Sequence, residues 1–413
     1  MPRPIGLEDE PIGFYLSERS PDSKLLYTLY ATNRLPMKLP KTEKNPNPNR
    51  FTIFPSDFLH LGYVVHQVGD GDWKWDDLLK KSARKERSPD LLLTQVWSKD
   101  MAIYDLKNSM SQSLDQAEGL FFEINRALDL NYDKDLLVYV HGANCNFYKA
   151  TAQGAQYFHF TGHNSVVLTF SWPSAENIFK YKTDVLHAAK TVPAFSRLLE
   201  ILAENTRARK INILVFSAGA QVVVPGLASF RDLHPELSTE ELKERLRIGE
   251  VYFAAPDTDF APFIHRYMKF KDIVDRTTIN INAKDTILRF AAIQNGISRL
   301  GRPNPKELTK AEDLAIARAL QDDSLDILNL GDSKSLKLGG THNSWYSHPW
   351  VSNDLMLLML FHLSPVERGL ERYDLGNGEI GFYFPEDYEQ RVRKIIRTGK
   401  EKLLLDKEMY MKK

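Results

Sequence analysis

The chain has 413 residues, with 54 Lys+Arg against 54 Asp+Glu and 43% hydrophobic residues. That length suits one large α/β domain with additions, or two domains, and the balanced charge gives no electrostatic reason for a nucleic-acid partner or an acidic tail. A single cysteine, Cys145, excludes an intrachain disulfide and a multi-cysteine metal site.

The first ten residues are acidic and carry no long apolar run, so no secretory signal is expected. No run of about 18 apolar residues occurs; the most apolar piece, Leu355 to Leu363, is far shorter. No membrane-spanning helix is expected, and the cytoplasm is the expected location. Strand-like pieces follow at Leu25–Ala31, Phe51–Phe54, Gly62–Val68, Leu91–Val96 and Met101–Tyr104. Between them lie an Asn-Pro loop at Asn45–Pro48, a turn at Gly69–Asp72 and a charged stretch from Lys80 to Arg87. Residues 1–104 therefore read as a β-rich segment packed on the main domain.

The pattern changes near Asp115. Ala117, Leu120, Phe121, Ile124 and Leu128 recur at helical spacing. Asp135–Val140 is a nearly continuous apolar strand, the kind buried on both faces of a parallel sheet, and it ends in His141-Gly142-Ala143-Asn144. A helix over Phe147–Phe158, a strand over Ser165–Phe170, a turn at Ser171–Ser174 and a long helix from Thr183 to Asn205 come next. The strand Ile211–Phe216 runs into Ser217-Ala218-Gly219-Ala220 and a helix-compatible run, Gln221–Val224. A capped helix is expected at Ser238-Thr239-Glu240-Glu241. Strands at Gly249–Ala255 and Thr277–Asn282 end in Pro256-Asp257 and Ala283-Lys284-Asp285. Thr309 to Leu320 reads as a helix, with Thr309 and Glu312 spaced as a capping box. Gly339–His342 is a loop, Val351–Leu363 a helix, and the tail beyond Ser364 is mixed, ending in a charged helical run. Alternating strands and helices mean βαβ units, so residues 105–363 are expected to form an α/β domain with a mainly parallel sheet and helices on both faces. Residues 364–413 are expected to form a helical C-terminal extension.

Catalytic groups in such sheets gather at the carboxyl ends of strands. Those ends carry His141–Asn144, Trp172-Pro173, Ser217, Asp257 and Asp285, and His342 lies in a later loop. A serine at a tight strand-to-helix turn has its Oγ lifted above the sheet, although a serine there is also a common helix cap. The chain order serine, acid, histidine is the one α/β-hydrolases use. A serine hydroxyl needs a neutral histidine to take its proton, and a carboxylate to fix the histidine's tautomer. A developing oxyanion needs preorganised N–H donors. Ala218, after the serine, and Ala143, after Gly142, are placed to supply them, with Gly142 allowing close approach. Structural alternatives exist for each group. His141 fits a packed loop residue that shapes its loop. Asp257 remains the alternative acid but also fits a cap for a helix over Asp259–Tyr267, and Asp285 fits a cap for Thr286–Phe290. His342 fits a surface loop, and His348 packing beside Pro349. His159 and His163 have Gly162 between them and no carboxylate close in sequence, and the eleven histidines show no zinc-type spacing. With no phosphate loop or dinucleotide fingerprint either, no metal and no cofactor are expected.

Taken together, these motifs resemble a bacterial α/β-hydrolase family, related to esterases and lipases and known mainly as a domain of unknown function. The resemblance rests on Tyr30-Ala-Thr-Asn-Arg34, Val140-His-Gly-Ala-Asn144 with Phe147, and Phe170-Ser-Trp-Pro-Ser174. It continues through Tyr181 with Asp184, the Ser217 turn, Ala255-Pro-Asp257, Asn282-Ala-Lys-Asp285 and His342, covering roughly residues 25–363. It implies an α/β-hydrolase fold with Ser217 as nucleophile, Asp285 as acid and His342 as base. Where the family usually has His-Ser-Met-Gly after a small residue, this chain has Phe216-Ser-Ala-Gly219 after Val215. The expected function is hydrolysis of a small-molecule carboxyl ester through an acyl-enzyme. The alternative is a catalytically silent binding or scaffold protein on the same fold. Oligomeric state and acyl preference are not legible.

Overall fold

The computed structural model describes residues 1–7, 24–38, 49–69, 92–108, 114–131, 133–177, 180–321, 324–331, 336–338, 340–376 and 379–411. The expected Asn-Pro loop, Asp70–Asp72, the Lys80–Arg87 stretch and Gly339 lie outside the described residues.

Three strands come first: β1 (Leu25–Lys38), β2 (Asn49–Val68) and β3 (Leu93–Asp105). They pair antiparallel in sequence order. The two strand pieces expected within 51–68 fuse into β2, and those within 91–104 into β3. The β2–β3 ladder runs on through the polar residues between those pieces, with register shifts at Leu61/Gly62 and Val65/His66 that leave Met101 and Val96 unpaired. There follow α1 (Leu114–Leu130), β4 (Leu136–Val140), α2 (Phe147–Phe160), β5 (Val166–Phe170), α3 (Tyr181–Asn205) and β6 (Ile211–Phe216). After a 3-10 turn at Ser217–Gly219 come α4 (Ala220–Leu233), α5 (Thr239–Leu246), β7 (Ile248–Ala254), α6 (Phe260–Phe270), β8 (Val274–Ile281) and α7 (Thr286–Asn295). The chain ends with α8 (Lys310–Gln321), β9 (Leu325–Asn329), α9 (Pro349–Phe361), β10 (Glu371–Gly376), β11 (Glu379–Tyr383) and α10 (Tyr388–Met411). Both expected capping boxes form, at Ser238/Glu241 and at Thr309/Glu312. Strand β9 and the β10–β11 hairpin were not anticipated. The hairpin means that the C-terminal region is not helical throughout.

All eleven strands form one sheet, in the order β10-β11-β9-β8-β7-β6-β4-β5-β1-β2-β3. All but β2 and β10 run in the same direction. The N-terminal strands therefore continue the sheet edge-on, and the C-terminal hairpin extends its other end. Helices cover both faces. Side chains alternate along each strand: Leu136, Val138, Val140, Ile213 and Val215 face α1, α3, α4 and α6, while Leu137, Tyr139, Leu214 and Phe216 face α2, α9 and α10. Among the described residues no helix is long and apolar enough to cross a membrane.

The winding direction reverses at β4. The chain passes from β4 to β5 on one side, then to β6 on the other, and continues outward through β7, β8 and β9. Loops at such a reversal part and leave a crevice at the carboxyl ends of the strands. Here those loops are His141–Asn144 and the turn at Ser217.

Candidate active site

The turn after β6 holds Ser217 at φ 50°, a left-handed conformation that a residue with a Cβ seldom adopts. Its surroundings hold it there. Ser217's carbonyl accepts the Asp257 N–H at 3.0 Å, from the chain just beyond β7. Two glycines permit the close packing. A Cβ on Gly219 would stand 2.8 Å from the His141 carbonyl oxygen and 2.9 Å from that of Val140, so α4 leaves the turn directly over the end of β4. A Cβ on Gly142 would stand 2.9 Å from Ser217 Cβ, so the chain after β4 passes immediately beside the hydroxyl-bearing residue. Val215 is fully buried in the core on the α4 side of the sheet.

The hydroxyl itself is met by an imidazole. His342 Nε2 lies 2.8 Å from Ser217 Oγ, and His342 Nδ1 lies 2.8 Å from Asp285 Oδ2. Asp285 is buried at the start of α7, where its other oxygen accepts the Leu288 N–H at 2.9 Å. The carboxylate is thus both a helix cap and the histidine's partner. The His342 loop is tied to the same helix: Thr286 Oγ1 donates to the Gly340 carbonyl at 3.2 Å, and a Cβ on Gly340 would meet Thr286 Cγ2 at 2.6 Å. On its far side the imidazole rests on Phe216, ring centroids 5.3 Å apart, and Phe216 leans on Trp345 and Tyr346. The residue that departs from the family pattern before the serine therefore forms part of the wall behind His342.

The other sequence candidates are placed as follows. Asp257's carboxylate faces Arg299, a buried guanidinium that also binds Asp259 and Tyr181 Oη. Gln221, in the first turn of α4, donates to Tyr181 Oη at 2.8 Å and to the Asp257 carbonyl at 3.1 Å. Asp257 thus lies in a polar network beside the serine and is not hydrogen-bonded to His342. His141 is fully buried. It stacks on Trp172 with ring centroids 5.3 Å apart, and its nitrogens lie 2.7 Å from the Gly142 carbonyl and 3.1 Å from the Trp172 carbonyl. Burial and the nearby Arg34 lower its pKa to about 3. The ring is therefore neutral and has one N–H, which donates to one of the two carbonyls. His348 caps α9, accepting the Trp350 N–H. His159 lies 3.3 Å from His163, which stacks on Phe158.

Two buried charges brace the loops around the serine. Arg34 donates to the Cys145 carbonyl at 2.7 Å and to Ser171 Oγ at 3.1 Å, joining the end of β1 to the loops after β4 and β5. Burial brings it down to about 10, still cationic at neutral pH. Asp184 accepts the backbone N–H groups of Ala175 and Asn144, and burial pushes its carboxyl up to about 6. Both belong to the motifs singled out in the sequence. Arg299 does not. Its side-chain partners lie 40, 42 and 118 residues away, and nothing local marks it.

One set of possible metal ligands converges among the described residues: Asp133, Asp135 and His362. They sit at the amino end of β4, on the rim opposite Ser217. The Arg209 guanidinium lies among them, 2.9 Å from Asp135 Oδ1 and 3.0 Å from His362 Nε2, so the positive charge such a set calls for is already supplied.

The family model that matches this chain is described as "Alpha/beta hydrolase of unknown function (DUF900)", and it covers residues 118–357. No curated protein matches the chain.

Proposed function

Since the chain belongs to this α/β-hydrolase family of unknown function, we propose that it is a serine hydrolase of carboxyl esters, with Ser217 as nucleophile, His342 as general base and acid, and Asp285 as the orienting carboxylate. The observation that carries the reading is the hydrogen-bonded row Asp285–His342–Ser217, with both contacts at 2.8 Å. In this reading the His342 Nδ1–H donates to Asp285, which leaves Nε2 to accept the Ser217 proton. Oγ attacks the acyl carbon, and the carbonyl oxygen gathers negative charge between the Ala218 and Ala143 N–H groups. Gly142 has no side chain to block that approach. Losing one such donor raises a barrier by roughly 3–4 kcal/mol. His342 then protonates the leaving alkoxide as the carbon–oxygen bond breaks. A water, deprotonated by the same imidazole, attacks the acyl carbon; the bond to Ser217 Oγ breaks, Oγ takes the proton back from His342, and the acid leaves. Arg34, Asp184 and His141 act on the chemistry through the loops they brace.

The test is a panel of p-nitrophenyl esters of graded acyl length, assayed with the wild-type chain and with Ser217→Ala. The reading predicts turnover on at least one ester and its loss in the variant. A folded wild type that turns over none of them supports the silent binding-protein alternative.

A further inference from the structure

The rim opposite Ser217 carries a cleft of about 450 Å³. It arises from a split in the sheet. Strands β1 and β5 pair only over Leu29–Ala31 and Leu168–Phe170, although both continue further back. Before Leu29, β1 stays with β2, where Tyr27 faces Val65, while β5 stays with β4, where Val166 faces Leu136. The strands diverge and leave a wedge, roofed by Ile124 and Ala127 of α1 and reaching Phe158 of α2 on the other face.

The wedge is chemically specific. Its outer walls include the half-exposed rings of Tyr27 and Trp97. At its mouth Glu123 and Arg126 form a pair at 2.7 Å, so the entrance carries no net charge. Two lining residues, Thr28 at 3% and Ser165 at 2% exposure, have hydroxyls with no hydrogen-bond partner among the described residues. A buried hydroxyl without a partner keeps the full cost of its desolvation, so a pair of them in one cleft points to a partner that arrives with the ligand. The volume falls within the range of small-molecule sites.

We propose that this cleft is a second binding site, taking a small uncharged molecule with an aromatic body and a hydroxyl or amide group, the ring against Tyr27 and Trp97 and the polar group on Thr28 and Ser165. The neutral mouth disfavours a charged ligand. Nothing here depends on the role of Ser217, since none of the serine's partners lines the wedge.

The full chain is titrated with 2-naphthol and with naphthalene, followed by tryptophan fluorescence and calorimetry. The wild type should bind 2-naphthol saturably, at or below about 1 mM, and naphthalene about ten-fold more weakly, as one lost hydrogen bond requires. The Thr28→Val/Ser165→Ala double variant should weaken 2-naphthol about ten-fold while leaving naphthalene unchanged. Ala127→Trp should fill the wedge and remove both. If Ala127→Trp does not fold, the double variant decides alone. Absence of saturable 2-naphthol binding means that water alone serves the two hydroxyls, and it overturns the site. Equal affinity for naphthol and naphthalene, or binding that survives Ala127→Trp, overturns it as well.

Discussion

Asp285 has two oxygens with two tasks, and they separate experimentally. Oδ1 caps α7 through the Leu288 N–H, and Oδ2 faces His342 Nδ1. Asn is as good a cap as Asp, but its amide cannot favour the same imidazole tautomer. Asp285→Asn is therefore predicted to keep its stability, read from the urea midpoint, while ester turnover falls by about 10⁴. Asp257→Asn should show the reverse. Its backbone N–H still holds the Ser217 carbonyl, but Arg299 loses one of its two carboxylates in a buried site. Stability should drop by about 3 kcal/mol, with turnover much less affected. The contrast also shows what could be read from the sequence. Ser217, Asp285 and His342 were legible because each lies at or just beyond the end of a recognisable strand or in a glycine-marked loop. The choice between Asp257 and Asp285 was left to family resemblance, since both also fit helix caps. What separates them in space, Arg299 beside one and His342 beside the other, depends on pairings across 42 and 57 residues.

The elbow is decided by close approaches between elements. At Gly219 a Cβ meets two backbone carbonyl oxygens, which cannot move without shifting β4. Gly219→Ala should cost about 1–3 kcal/mol and reduce turnover together. At Gly142 a Cβ would meet the Cβ of Ser217 at 2.9 Å. Gly142→Ala should cost turnover by about 100-fold through displacement of Ser217, with a smaller change in stability. Gly119 in the middle of α1 is the control, because a Cβ there meets nothing within 4 Å. Gly119→Ala should raise stability by about 0.5–1 kcal/mol and leave turnover alone. Thermal melts and ester assays on the three variants check this. Apolar spacing, capping residues and short apolar runs together located the helices and most of the parallel strands. They missed β9, where Leu325-Asp-Ile-Leu-Asn329 alternates too briefly, and they divided β2 and β3 at polar residues through which the ladder continues. They also did not indicate that the N-terminal strands and the C-terminal hairpin belong to the same sheet, because edge pairing carries no local signal.

At the scale of the whole chain, buried titratable groups set how stability depends on pH. Burial lowers His66 to about 4 and His141 to about 3, and takes His159 well below its ordinary value. Each such base contributes stability in full above its unfolded pKa of about 6.5 and loses it as pH falls. Four buried carboxyls act in the opposite sense: burial raises Asp133 and Glu250 to about 7 and Asp184 to about 6, and it raises Asp354 as well. The folded chain keeps their protons where the unfolded chain has lost them, so stability falls as pH rises from about 4 towards those values. Between roughly pH 4.5 and 6.5 the two sets oppose each other. Above that window the carboxyls act without opposition, joined by His362, which its hydrogen bond to Asp135 raises and whose contribution is lost as pH rises. Below it the imidazoles are joined by Asp135, whose hydrogen bonds to His362 and Arg209 outweigh its burial and hold its carboxyl below the usual range, so its contribution too is lost as pH falls. Urea midpoints from pH 3.5 to 8 should show a plateau near pH 4.5–6.5 with losses on both sides; a steady rise from 4.5 to 8 would contradict this. The central claim is more specific: that the whole architecture serves to present one activated hydroxyl. Treatment of the folded chain with a fluorophosphonate, followed by intact-mass and peptide analysis, tests it most directly. The account predicts a single adduct on Ser217, lost in Ser217→Ala and strongly slowed in His342→Ala. A folded wild-type chain that stays unmodified at high reagent, or that is modified equally fast without His342, would contradict it.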